Sequence, residues 1–380
     1  QSPVKADAIS LCQKPHLGVP SEQEINEVIE AIKNSKFPVL LAGMRSSSQA
    51  ETEAIRRLVQ KTNLPVVETF QGAGVISREL ENHFFGRVGL FRNQVGDELL
   101  RKSDLVITIG YDPIEYEASN WNKELDTKII NVDEEHAEIT NYMQPVKELI
   151  GNIAGTIDMI SEHVNEPFIN QDHLDELEKL RGEITEATGI KATHKEGVMH
   201  PVEIIETMQK VLTDDTTVTV DVGSHYIWMA RKYRSYNPRH LLFSNGMQTL
   251  GVALPWAISA ALVRPNTQVV SVAGDGGFLF SGQELETAVR KNLNIIQLIW
   301  NDGRYNMVEF QEEMKYKRSS GVEFGPVDYV KYAESFGAKG LRVTNQEELE
   351  AALKEGYETD GPVLIDIPVS YTHLTLPTKA

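Results

Sequence analysis

Short apolar segments alternate with amphipathic segments along most of this sequence. The apolar segments include FPVLLAGM, LPVVETF and DLVITIGY in the first half and TVTVDVG, TQVVSVAGDG and NIIQLIWND in the second. Between them lie stretches such as EAIRRLVQKT and PVEIIETMQKVL, whose apolar residues recur at helical spacing. Strands that alternate with helices pair in parallel and carry helices on both faces. The alternation therefore predicts an α/β fold built from doubly wound parallel sheets.

The alternation occurs in two blocks, and 380 residues are more than one hydrophobic core usually holds. We place a first α/β domain at residues 1–160, with residues 1–20 as a linker, and a second at residues 200–369. Residues 161–199 are polar and charged and have no strand pattern, so we interpret them as the connection between the domains. Residues 370–380 match neither pattern, and we expect an atypical tail there, either disordered or foreign to the protein.

Charge and cysteine content exclude several classes of protein. The formal net charge is −18, whereas a nucleic-acid-binding surface needs clustered Lys and Arg. We expect no membrane span, which needs about 18 apolar residues in a row, and no signal peptide, which needs a basic and an apolar region. Cys12 is the only cysteine, so no disulfide can form within the chain. We therefore expect a cytoplasmic protein without a nucleic-acid or membrane partner.

Two aspartates follow two of the apolar segments in the second block. Asp275 stands between glycines in GDGG, directly after VVSVA, and Asp302 stands in NDG, 27 residues further on. One helix and one strand fill such an interval, so both aspartates lie at the edge of a parallel sheet where ligands bind. Asp275 alone would repel a phosphate, but two carboxylates can hold a Mg²⁺ ion that binds one. The pattern predicts a site for a diphosphate and a divalent cation.

Other interpretations of these residues explain less of the pattern. An Asp-Gly after a strand is most often a plain turn, but a turn does not account for two of them at this interval. GDGG is not a dinucleotide fingerprint, because Leu279 stands where the third glycine belongs, and the sequence has no Walker A lysine motif. Ser281 and Glu284 form a capping-box pattern, which predicts a helix start shortly beyond the loop.

These stretches resemble the cofactor motif of thiamine diphosphate enzymes. DVGSHYIWMAR, SNGMQTLGVALPWAI, GDGGFLFSGQELETAV and YAESFGAKGLRV are similar to the catabolic acetolactate synthases of acetoin-forming bacteria, and FFGRVGLFRNQVGDELL and ITIGYDPIEYE to their central domain. The resemblance covers about residues 20–369. It implies a central domain followed by a diphosphate-binding domain. The implied enzyme decarboxylates pyruvate and joins the hydroxyethyl unit to a second pyruvate, giving 2-acetolactate and CO₂ for acetoin or butanediol formation.

The resemblance also implies roles for single residues. The side chains of Asp275 and Asp302 and the carbonyl of Arg304 would bind Mg²⁺. Gln248 would face the 4′-amino group of the pyrimidine, and Leu250 would bend the cofactor so that it acts as its own base. The residues implied to contact thiamine diphosphate are Gly223, Ser224, His225, Gln248, Thr249, Leu250, Gly274, Asp275, Gly276, Gly277, Asp302, Tyr305, Asn306 and Met307.

Three residues, Met307, Val308 and Gln311, would border the substrate pocket. Gln311 stands where the biosynthetic acetohydroxyacid synthases have a Trp that favours 2-oxobutyrate, so the resemblance implies pyruvate as both donor and acceptor. GYDPIEYE replaces the Arg-containing stretch of the FAD-binding relatives. We therefore expect thiamine diphosphate and Mg²⁺ as cofactors and no FAD.

Members of this family also contain a pyrimidine-binding domain, and its glutamate reaches the cofactor from a neighbouring subunit. The resemblance thus implies a homodimer or homotetramer with active sites at subunit interfaces. No stretch of these 380 residues is similar to that domain, so we expect no catalytic residue in this chain and no activity of the chain alone. Two kinds of alternative stay open. One is a 2-oxoacid decarboxylase or a biosynthetic acetohydroxyacid synthase, and the other is a non-catalytic cofactor-binding subunit that needs a separate pyrimidine-domain chain.

Overall fold

The structure, a computed structural model, describes residues 16–89, 94–188 and 196–371. In these ranges the chain forms two six-stranded sheets, both parallel throughout and flanked by helices. The predicted α/β fold with two doubly wound parallel sheets is confirmed. Cys12 and residues 372–380 of the predicted tail lie outside the described ranges.

The first sheet pairs its strands in the order β3-β2-β1-β4-β5-β6. The order reverses between β1 and β4, and the carboxyl ends of these two strands border the crevice where such sheets bind ligands. The strands are β1 (Pro38–Ala42), β2 (Val66–Thr69), β3 (Phe84–Val88), β4 (Leu105–Ile109), β5 (Lys128–Asp133) and β6 (Lys147–Ile150). The helices of this domain are α1 (Glu22–Lys33), α2 (Gln49–Thr62), α3 (Val95–Lys102) and α4 (Ile153–His163).

Local sequence determines how the chain enters this domain. Ser21 caps α1 in a capping box with Glu24, because each side chain bonds the other residue's backbone N–H. Four apolar residues of α1 recur at helical spacing and are buried, namely Ile25, Val28, Ile29 and Ile32. They join a core with the central strands, whose residues are buried on both faces of the sheet.

The second sheet has the order β11-β12-β10-β9-β7-β8, and its direction of travel reverses between β7 and β9. Helix α5 (Gln171–Thr188) lies in the connecting segment, and α6 (Pro201–Val211) packs into the core of the second domain. Its strands are β7 (Thr217–Val220), β8 (Leu241–Phe243), β9 (Val269–Gly274), β10 (Ile295–Asn301), β11 (Lys339–Arg342) and β12 (Val363–Pro368). Its further helices are α7 (Ser224–Lys232), α8 (Ala253–Val263), α9 (Asp275–Phe278), α10 (Leu285–Arg290), α11 (Asn306–Tyr316), α12 (Tyr329–Ser335) and α13 (Gln346–Glu358).

Buried polar groups hold the two domains together. Arg87 on β3 is 3% exposed and pairs with the fully buried Glu68 at 3.2 Å. Its Nη1 atom donates to the carbonyls of Ala230 and Tyr233 in the second domain, at 3.1 and 2.7 Å. The connection between the domains is therefore specific, because each of these donors needs its acceptor in place. Within the described ranges, no helix is both long enough and apolar enough to span a bilayer.

Candidate functional site

A cavity of about 190 Å³ lies at the carboxyl ends of β7, β9 and β10. This is the edge of the second sheet at which its strand order reverses, and ligands bind there in sheets of this kind. The cavity is lined by Val222, Gly223, Ser224, His225, Leu250, Gly274, Asp275, Gly276, Gly277, Trp300, Asp302, Arg304, Tyr305, Asn306, Met307, Val308 and Tyr371. Most residues that the sequence predicts for the cofactor therefore surround one space.

Asp275 joins the two loops that carry the predicted metal ligands. Strand β9 ends at Gly274, and the helical turn α9 begins at Asp275 itself. One carboxylate oxygen of Asp275 accepts the N–H of Gly276 at 2.8 Å, and the other accepts the N–H groups of Asp302 and Gly303 at 3.1 and 2.6 Å. The Asp275 carboxylate thus fixes the NDG loop against the GDGG turn.

The predicted capping box at Ser281 is wrong. Its side chain makes no capping hydrogen bond, and the chain continues through a 3₁₀ turn, Gly282–Glu284, into α10. The helical turn α9 begins at Asp275, directly after the end of β9, so the backbone is already helical before Ser281. The predicted helix start shortly beyond the loop is present, since Ser281 stands at the N-cap position of the 3₁₀ turn, but its side chain does not form the cap.

The two predicted metal-binding carboxylates face each other without an ion-pair partner among the described residues. Arg304, the nearest cation, directs its guanidinium to Glu309 at 2.8 Å and to Glu323 at 3.3 Å. Burial raises the pKa of Asp275 to about 6, although N–H donors oppose the rise. Burial and the charge of Asp275 together raise the pKa of Asp302 to about 7. Two negative charges are thus costly here, and a divalent cation would offset that cost.

The donor set near the carboxylates suits Mg²⁺ rather than a metal held by protein ligands alone. No group of three or more His, Cys, Asp or Glu side chains arranged to hold a metal occurs in the described ranges. Mg²⁺ usually takes one or two carboxylates and completes its shell with water, backbone and phosphate oxygens. The pair Asp275 and Asp302, with the backbone of the NDG loop beside it, fits that mode of binding.

A buried histidine also lines the cavity. His225 is 2% exposed, and its Nε2 atom has no hydrogen-bond partner among the described residues. Burial lowers the pKa of His225 to about 3, so the imidazole is neutral in the protein as it stands. A Cβ at Gly223, where φ is +154°, would lie 2.8 Å from the His225 ring, so only glycine fits there. An orphaned polar atom beside a glycine loop suits an anionic ligand.

The predicted pyrimidine contacts lie on the loop between β8 and α8. Leu250 lines the cavity, whereas Gln248 and Thr249 do not. Gln248 has a left-handed backbone, with φ at +47°, and its side chain is partly exposed. The loop therefore brings one of its three predicted residues to the cavity wall and leaves the other two beside it.

The predicted substrate residues lie on α11, which has no buried residue. Met307 and Val308 line the cavity at the start of this helix. Gln311 is exposed one turn further along and does not line it. The arrangement places the three residues in a row that leads from the cavity to the surface of the described chain.

Four residues at the site were not predicted. Trp300 is fully buried and lines the cavity, but in the sequence it is one more apolar residue of a strand. Val222 and Tyr371 also line it, and Tyr371 packs against Trp300 although it belongs to the predicted tail. Asp221 is 1% exposed beneath the cavity. An acidic residue directly after a buried strand, as in TVTVD, is the signal that could have identified Asp221.

Two family descriptions match the chain. The thiamine pyrophosphate enzyme central domain matches residues 25–160, and the thiamine pyrophosphate enzyme C-terminal TPP binding domain matches residues 221–367. Thiamine pyrophosphate is the same compound as thiamine diphosphate. The chain therefore belongs to the thiamine pyrophosphate enzymes, and the cavity lies in the matched TPP-binding domain. Both matched ranges fall inside the domain limits predicted from the sequence, which themselves stay a prediction.

Several proteins similar to this chain are acetolactate synthases. The chain is 49% identical over 358 residues to the acetolactate synthase of Bacillus subtilis, covering 94% of this chain and 63% of that protein. It is 42% identical over 374 residues to the catabolic acetolactate synthase of Raoultella terrigena, covering 97% and 66%. A chloroplastic acetolactate synthase of Nicotiana tabacum is 29% identical over 381 residues, covering 94% and 55%. The chain thus spans less than two thirds of the length of these relatives.

Proposed function

We propose that this chain is the central and diphosphate-binding part of an acetolactate synthase of the catabolic type. The observation that carries the proposal is the pairing of Asp275 and Asp302 at one cavity in a TPP-binding domain. The names of the relatives that are 49% and 42% identical support the choice of reaction. That reaction converts two molecules of pyruvate into 2-acetolactate and CO₂.

In this proposal Asp275, Asp302 and the carbonyl of Arg304 would hold Mg²⁺, whose charge would offset that of the diphosphate. The N–H groups of Gly276 and Gly277 and the side chains of Ser224 and His225 would contact the diphosphate. A neighbouring anion would raise the pKa of His225 from its low value and turn its free nitrogen into a donor. Asn306 is tied to Ser224 by a hydrogen bond of 2.6 Å, so these two side chains act together.

Thiamine diphosphate, when bound, supplies a nucleophilic carbon that attacks the carbonyl of a 2-oxo acid. The side chains of this chain would orient the cofactor and exclude water. Leu250 would contact it from the loop before α8, and Trp300 and Met307 line the cavity with apolar surface. An apolar wall favours loss of CO₂, because the charge of the carboxylate disappears in that step. A glutamate outside this chain would exchange the proton of the pyrimidine, within a homodimer or homotetramer.

The central domain in this proposal binds no FAD. Its crevice between β1 and β4 is crossed by Arg45, which pairs with Asp133 at 2.7 Å and Asp112 at 3.2 Å. Glu115 lies beside it and accepts the N–H groups of Met44 and Gln71, both at 3.0 Å. These N–H groups are donors of the kind that a nucleotide phosphate would use. A reduced cytoplasmic location also fits a chain with one cysteine.

Calorimetry tests the cofactor site. We expect thiamine diphosphate to bind this chain only when Mg²⁺ is present, and Asp275→Ala and Asp302→Ala each to abolish that binding. Asp360→Ala is the matched control, because Asp360 is an exposed aspartate in a loop far along the chain. Unchanged affinity in either site variant would refute the assignment of the two carboxylates.

Product analysis tests the reaction. A protein that joins this chain to a pyrimidine-binding domain, incubated with pyruvate, thiamine diphosphate and Mg²⁺, should release 2-acetolactate. Acetaldehyde without acetolactate would instead identify a 2-oxoacid decarboxylase. Activity of this chain by itself would contradict the proposed need for a pyrimidine-binding domain.

A further inference from the structure

The loop between β8 and α8, residues 244–252, carries the residues predicted to contact the pyrimidine. Three of its residues have a left-handed backbone conformation. Gln248 has φ at +47°, and the flanking Gly246 and Gly251 have φ at +76° and +80°. Met247 at the tip of the loop is 92% exposed. Because a left-handed backbone is disfavoured for any residue except glycine, the conformation of Gln248 needs contacts elsewhere in the loop to hold it in place.

Asp221 holds the end of the loop that enters α8. Its carboxylate is buried and accepts the N–H of Gly251 and the N–H of Ala253, each at 3.0 Å. The first of these donors closes the loop, and the second belongs to the first turn of α8. A Cβ at Gly277 would lie 3.0 Å from Asp221 Oδ1, so the same carboxylate touches the GDGG turn. Asp221 therefore sets the distance between the loop and the diphosphate turn.

Glu115 of the central domain holds the other end. Its Oε1 atom accepts from the Asn245 side chain at 3.4 Å and from Gln71 N–H at 3.0 Å. Its Oε2 atom accepts from Met44 N–H and from the Thr69 hydroxyl, both at 3.0 Å. The hydroxyl of Tyr226 donates to Asn245 on the other side. Asn245, at the start of the loop, is thus fixed between a residue of each domain.

We propose that Asp221 and Glu115 are positioning residues that clamp the two ends of the cofactor loop before the cofactor binds. The proposal rests on the proposed function, because it assumes that residues 248–250 contact thiamine diphosphate. In this proposal the central domain helps to form the cofactor site without binding a nucleotide itself. Its residue Glu115 reaches the loop of the second domain and accepts a hydrogen bond from Asn245. A pre-shaped loop loses less conformational freedom when the ligand arrives, and this strengthens binding.

Hydrogen–deuterium exchange measures the clamp without a ligand. In Glu115→Gln and in Asn245→Ala, we expect the amides of residues 246–251 to exchange about tenfold faster than in the wild type, since Asn245→Ala removes the hydrogen bond that anchors the loop and Glu115→Gln replaces its charged acceptor with a neutral one. The amides of β9 should keep their exchange rates, because neither residue touches that strand. Uniformly faster exchange along the chain, or unchanged exchange in the loop, would overturn the proposal.

Binding of two ligands distinguishes a specific effect on the position of the loop from a general loss of structure at the site. Magnesium pyrophosphate probes only the diphosphate half of the site, whereas thiamine diphosphate with Mg²⁺ also needs the loop. We expect Glu115→Gln and Asn245→Ala to weaken thiamine diphosphate about tenfold and to leave pyrophosphate unchanged. An equal loss for both ligands would overturn the proposal. A wild-type chain that binds neither ligand would instead refute the proposed function, while the exchange result would still report on the clamp.

Asp221→Asn adds a variant in which the side chain keeps its size. Its amide nitrogen would face an N–H donor of Gly251 or Ala253, so one of the two bonds is lost. Because Asp221 also touches Gly277, we expect weaker binding of both ligands, with the larger loss for thiamine diphosphate. Equal losses, or exchange in the loop that stays at the wild-type rate, would count against Asp221 as a positioning residue.

Discussion

Glu115 should make the stability of this protein depend on pH. Burial raises the pKa of Glu115 from 4.5 to about 7, against the lowering effect of its N–H and hydroxyl donors. A carboxyl group with a raised pKa binds its proton more tightly in the folded chain, so the folded state is favoured at low pH. The contribution is fully present below pH 4.5 and is lost as the pH rises to about 7.

The size of this effect follows from the pKa. Each pKa unit corresponds to about 1.4 kcal/mol, so a rise from 4.5 to about 7 corresponds to about 3 kcal/mol. The residue keeps some solvent exposure, which screens its charge, and we therefore expect a loss of about 2 kcal/mol in the free energy of unfolding. Glu115→Gln removes the titrating group, so its stability should fall less than that of the wild type over the same pH range.

Urea unfolding at a series of pH values from 4.5 to 8 measures the difference between the two proteins. Placing an amide among N–H donors lowers the free energy of unfolding of Glu115→Gln by the same amount at every pH. The informative quantity is therefore how the difference in this free energy between the two proteins changes with pH. Glu117→Gln is the matched control, because Glu117 is an exposed glutamate two residues further on. Parallel profiles for the wild type and Glu115→Gln would refute the reasoning.

Two further predictions concern specificity and the contact between the domains. In a protein that joins this chain to a pyrimidine-binding domain, Gln311→Trp should raise the use of 2-oxobutyrate relative to pyruvate. An unchanged ratio in a competition assay would contradict the role of Gln311. Gly74→Ala should lower the free energy of unfolding by about 2–4 kcal/mol, because φ is +91° there and the new Cβ would lie 2.1 Å from the carbonyl oxygen of Asn237. Gly182→Ala, on α5 with nothing within 4 Å, is the control and should be neutral or stabilising in thermal unfolding; similar melting temperatures for both variants would argue against a tight domain contact.

The sequence predicts the central strands of both sheets and misses three strands at their edges. The strands β1 and β4 are buried along their whole length, so they appear as unbroken apolar runs. The strands β3, β6 and β11 lie at the ends of the two strand orders and are partly exposed. Sequences such as KELI and KGLR lack a continuous apolar run, because an edge strand has neighbours on one side only. Their pairing is decided by the sheet and not by local pattern.

The site was predictable where a residue type is unusual for its position. Asp275 and Asp302 stand out because a charge at the end of a buried strand has a cost that needs a reason. Trp300 does not stand out, since an apolar residue in a strand is what the fold itself requires. Glu115 could not be assigned either, because its partners Met44, Thr69 and Asn245 lie on three segments that are far apart in the sequence. Such a residue becomes visible only when the fold brings these segments together.

The crevices of the two sheets differ in how their charges are compensated. In the first sheet a Cβ at Gly43 would lie 2.5 Å from the carbonyl oxygen of Gly110, so the backbones of β1 and β4 close on each other. Arg45 and Glu115 fill the remaining polar contacts with partners from the protein. In the second sheet Asp275 and Asp302 have raised pKa values, and Arg304, the cation beside them, forms its ion pairs with Glu309 and Glu323 instead. Since an uncompensated pair of buried carboxylates is unfavourable, the second crevice is the one that a cation and an anionic cofactor would stabilise.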